Sequence, residues 1–71
     1  MSLNDKALER AAEELWNAIG YRNFDGEDNP YQEAAARTDA EEPGYRLAGY
    51  VHSVRKLARR AVTAYLAGEE A

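Results

Sequence analysis

The 71 residues, 7.9 kDa, carry 9 Lys+Arg against 13 Asp+Glu, a formal net charge of −4, with no Cys and a single His. A chain this short buries only about 60% of its unfolded surface, so small scaffolds lean on disulfides, a metal or oligomerisation. Without Cys there are no disulfides, no thiolate zinc site and no thiol catalysis, and one His does not make a His-rich metal centre.

The apolar fraction of 45% is softer than it looks, because 14 of its 32 members are Ala. Leu, Ile, Val and Phe together number 11, about 15% of the chain. Five Tyr and Trp16 supply the area that the aliphatic residues lack. The expectation is a folded domain with a thin core that is completed by self-association. No stretch approaches ~20 apolar residues, so no membrane span is expected. The N-terminus lacks the basic-then-apolar layout of a secretory signal, which makes the cytoplasm the expected location. Ala, Arg, Gly and Pro total 28 while Lys numbers 2, a bias that suits a GC-rich genome of bacterial or phage type.

The first predicted element is a helix over about 3–19. Leu8, Ala11, Ala12, Leu15, Trp16 and Ile19 recur at three- and four-residue spacing, the period of one helical face. Ser2 with Asp5 resembles a capping box, with Asn4 as a competing N-cap, and Gly20 supplies the left-handed residue that closes the helix. Residues 20–29 hold two Gly, two Asn and three acids and read as a loop, with Tyr21 and Phe24 tucked back against the helices. Asn29-Pro30 then starts a short helix over about 30–38, with Asn29 as cap and Pro30 in the first turn. Tyr31 is its one large anchor, so it is expected to cover little apolar surface.

Thr38 to Pro43 forms an acidic connector that leaves Glu42 outside the next helix. From Gly44 to Ala67 the pattern is helical, with Pro43 in the first turn and Gly68 as the stop. Leu47, Val51, Val54, Ala58, Ala61 and Tyr65 step by four and three, a heptad seam that Tyr50, Leu57 and Val62 widen. The fold class expected is therefore all-α: a single domain of three helices, the first and third antiparallel. The third outreaches the first, leaving part of its stripe for a two-fold partner. The expected self-association surface comprises Leu47, Tyr50, Val51, Val54, Leu57, Ala58, Ala61 and Tyr65.

Charge is divided along the chain: residues 1–44 hold 11 acids and 4 bases, residues 45–71 hold 5 bases and 2 acids. Arg55, Lys56, Arg59 and Arg60 all project from the polar arc of the third helix, a charged face for a partner. Pairing with acidic protein surface, its own or a partner's, is the favoured expectation. DNA binding through these four residues is the alternative, disfavoured by a pI near 4.9 and by Glu41 and Glu42 at the end that a recognition helix would insert. The loop acids Asp25, Glu27 and Asp28 do not make a calcium site, because an EF-hand count from Asp25 puts Pro30 at position 6 and Ala36 at position 12. His52 has no positioned catalytic partner in the sequence, and no Gly-rich phosphate loop is present. The expected function is a non-enzymatic protein-interaction module, a homodimer that also binds another protein, needing no metal and no cofactor.

Overall fold

A computed structural model describes residues 4–70, which form helix α1 (Asp5–Ile19), a 3₁₀ segment (Tyr21–Gly26), helix α2 (Tyr31–Asp39) and helix α3 (Ala48–Glu70). The architecture is all-helical, with no strand among the described residues. Ser2 and Leu3, placed at the start of the first helix by sequence, lie outside them. Asn4 provides the N-cap: its Oδ1 accepts from the Lys6 and Ala7 amides at 2.8 and 3.2 Å. Gly20, at φ 93°, ends α1 with its N–H on the Trp16 carbonyl.

Asn29 does not cap α2, as the sequence suggested; Pro30 stands at that position without a side-chain cap. The Asn29 amide instead donates to the Phe24 and Glu27 carbonyls at 3.1 and 3.0 Å. Its own carbonyl accepts from Trp16 Nε1 at 2.7 Å. Asn29 thus ties the loop to Trp16 of α1 and to the 3₁₀ segment, and this competes with capping.

The third helix begins at Ala48, four residues later than the periodicity suggested. Residues 41–47 form turns, with Glu41 at φ 55° and Gly44 at φ 73°. A bidentate ion pair between Arg37 and Glu42, at 2.7 and 2.5 Å, closes the connector, and the Arg37 guanidinium lies 4.1 Å from the Tyr45 ring centroid. These contacts hold Pro43 and Tyr45 in a turn rather than a first helical turn. At the other end Gly68 does not stop α3, which continues to Glu70. A glycine ends a helix when it turns left-handed; in a regular helical conformation it only weakens it, by about 1 kcal/mol relative to Ala.

Helices α1 and α3 run antiparallel, since Glu9 near the start of α1 meets Arg55 while Tyr21, just past its end, packs on Tyr50. Leu8, Ala12 and Trp16 of α1 interleave with Leu47, just before α3, and with Val51, Val54 and Ala58 of α3, all buried. Helix α2 covers more of this stripe than one large side chain promised: Tyr31, Ala34, Ala35 and Thr38 are all buried. Alanine is the reason. A helix whose inner face is Ala approaches its neighbours closely, so a short segment closes the core without bulk. Trp16, fully buried, supplies the missing volume, with Tyr21 and Tyr31 edge-on at 5.1 and 5.7 Å. Thr38 Oγ1 returns its hydrogen bond to the Ala34 carbonyl at 2.8 Å.

Candidate interaction surfaces

Three features of the helix arrangement bear on function: an ionic hub on the α2 side, an uncharged face on the opposite side, and a basic ridge along the outside of α3. At 3.6 residues per turn, the residues flanking a buried stripe divide cleanly between its two sides. On the α2 side stand Glu9 and Glu13 of α1 and Arg55 of α3; on the other stand Ala11 and Leu15 of α1 and Tyr50, Leu57, Ala61 and Ala64 of α3.

The hub ties three helices together. Arg55 sits within 2.7 Å of Glu9 Oε1 through Nε, and pairs with both Asp39 oxygens at 2.8 and 3.0 Å. Tyr31, buried, donates its hydroxyl to Glu9 Oε2 at 2.7 Å and accepts from Arg55 Nε at 3.2 Å. Burial, followed by the hydrogen bond to Glu9, pushes the Tyr31 hydroxyl up to about 12. The hydrogen bonds from Arg55 hold the Asp39 carboxyl below its ordinary value, and the pairing with Asp39 raises Arg55 still further above the range in which it could lose its charge. The hub forms the floor of an open groove of about 630 Å³ between α1 and α2, whose walls include Lys6, Arg10, Glu13, Gln32 and Ala36. Every hub group is engaged with another, so the arrangement fastens the three helices together. No group of three His, Asp or Glu among the described residues is placed to hold a metal ion.

Arg55 was expected on an outward charged face beside Lys56, Arg59 and Arg60. It instead turns inward to Glu9 and Asp39, with a side chain only 26% exposed. The sequence offered a faint signal, since Arg55 borders Val54 in the apolar seam, but not the acids that receive it. Lys56, Arg59 and Arg60 are exposed and form no ion pair among the described residues.

The expected self-association residues divide into two sets. Leu47, Val51, Val54 and Ala58 are buried against α1 and α2 of the same chain, so they are not offered to a second copy. Tyr50 is half-buried, stacked at 4.6 Å from Tyr21 and 5.1 Å from Phe24. Leu57 and Tyr65 are 45% and 66% exposed, and Ala61 is exposed as well. Beyond them the structure adds Ala11, Leu15, Ala18 and Ile19 of α1, the last 49% exposed, to the same uncharged side. Sequence periodicity had put Ala11, Leu15 and Ile19 on the apolar face of the first helix, but it could not show which flank α2 would leave open, and it did not single out Ala18.

The chain matches no protein-family model, no curated protein and no solved structure. No helix among the described residues is long and apolar enough to cross a membrane.

Proposed function

We propose that the chain is a non-enzymatic interaction module that pairs with a second copy of itself through α3 and, so assembled, engages another protein. The observation that carries the proposal is the uncharged face opposite α2. Here Leu57 and Ile19 are each about half exposed, and alanines at 11, 18, 61 and 64 leave room for a helix to approach closely. The molecule measures 42 × 23 × 15 Å, and on the side opposite α2 the 3₁₀ segment covers only the Tyr50 end, through Tyr21 and Phe24, leaving Leu57 and Ala61 exposed. A second copy fits that side because Ala11, Leu15, Ala18, Ile19, Leu57, Ala61 and Ala64 carry no charge, with the Arg46–Asp25 ion pair and Arg60 standing at its borders. Two such faces turned together make a four-helix layer, with α2 outermost on each side.

The size of the face places it in the class of weak, reversible contacts. Helices about 9 Å apart that overlap for about 22 Å bury roughly 900 Å² in total when two copies meet, below the range of permanent assemblies. Association in the range of tens of micromolar is expected, as a reversible equilibrium. Sedimentation equilibrium tests this: the wild type should pass from monomer to dimer as concentration rises, and Leu57→Asp should stay monomeric with unchanged helicity. A wild type that stays monomeric well above about 100 µM, past the weak end for an interface of this size, would overturn the proposal.

A further inference from the structure

We propose that the ridge formed by Lys56, Arg59 and Arg60 on the outside of α3 is a binding site for a short acidic segment of another protein. From Ala48 to Gly68 the helix contains no acid, so these cations have no neutralising neighbour one turn away. Lys56 and Arg60 stand at i and i+4, as do Arg55 and Arg59, a spacing at which like charges destabilise the helix that bears them. The acids closest in space do not relieve them. Glu9 and Asp39 are taken by Arg55, and Asp5 lines the same shallow cleft as Lys56 and Arg59 without forming an ion pair among the described residues. The ridge therefore carries an uncompensated repulsion that an anionic ligand removes.

The dimensions choose the class of ligand. The three charges lie within about 6 Å along the helix axis. Residues 1–47, the rest of the molecule, hold 11 acids and 5 bases, a net −6 (5 − 11). A nucleic acid, with one charge per ~1.7 Å of duplex, would extend well past three charges and into the repulsive field of this acidic body. A peptide with carboxylates one helical turn apart ends where the ridge ends. The ridge points outward from α3, and its Arg60 end lies one turn from Leu57 and Ala64 at the border of the uncharged α1/α3 side.

Fluorescence anisotropy with labelled octaglutamate, at about 50 mM salt where charge contacts are strongest, tests the assignment. The wild type should bind. The triple variant Lys56→Gln/Arg59→Gln/Arg60→Gln should bind at least about tenfold more weakly, and Lys6→Gln/Arg10→Gln on α1 should bind as the wild type does, the contrast expected of local charge pairing. Circular dichroism of each variant confirms that the helices persist, with Arg60→Gln alone as the milder substitution. Absence of octaglutamate binding, equal loss in both multiple variants, or tighter binding of a short DNA duplex through the same three residues would each overturn the proposal, the last by assigning the ridge to nucleic acid.

Discussion

Replacing Arg55 by Met keeps the aliphatic stem but removes a guanidinium of α3 that touches both α1 and α2. Three contacts are lost: the pair with Glu9, the bidentate pair with Asp39 and the bond to the Tyr31 hydroxyl. Asp39 is 61% exposed and Glu9 44%, so solvent already screens both pairs and each is worth at most a few tenths to about 1 kcal/mol. Tyr31 keeps its bond to Glu9, so no buried hydroxyl is orphaned. The net loss is about 1–2 kcal/mol, which in a domain this size lowers Tm by roughly 5–15 °C. Urea denaturation followed by far-UV circular dichroism measures it, and the Asp39→Asn variant closes a double-mutant cycle with a coupling of about 0.5–1 kcal/mol. The linkage runs in a definite direction: the folded Asp39 carboxyl titrates below its ordinary 3.8, so its contribution is intact above that value and is lost as pH falls through the folded one. A coupling of zero, or an Arg55→Met loss that is unchanged at low pH, would refute the hub as a stabilising device.

Val54→Asp should abolish the cooperative melt, because Val54 is 0% exposed at the centre of the core and a carboxylate there costs about 3 kcal/mol or more, against the marginal stability of so short a chain. An undiminished thermal transition would refute its placement. Spectrophotometric titration should show one tyrosine ionising near 12 in the wild type and missing in Tyr31→Phe. Since the folded value lies above the unfolded one of 10.0, stability should decline as pH rises from 10 towards 12 in the wild type, and less in the variant.

Trp16 shows how far sequence reached. Its spacing from Leu8 and Ala12 placed it on the inner face, and it is fully buried there. The two long helices and Gly20 as a left-handed cap were legible from local periodicity and from one residue's backbone preference, and the return of Tyr21 and Phe24 to the core from the presence of two aromatics in a short loop. Boundaries were less so. Gly44 and Gly68 are the same residue type, yet one turns the chain and the other stays helical, and the difference lies in the Arg37–Glu42 clasp and Tyr45 rather than in glycine itself.

The chain alone settled which residues are apolar, their helical period and the division of charge between its two halves, because these are properties of neighbours along the backbone. Which side α2 covers, and therefore that Val51 and Val54 are sealed while Leu57 is left at the surface, was decided only in three dimensions. The same holds for Arg55, whose partners lie 46 and 16 residues away. A helix fixes its own faces, but only packing against other helices determines which of those faces meets protein and which meets water.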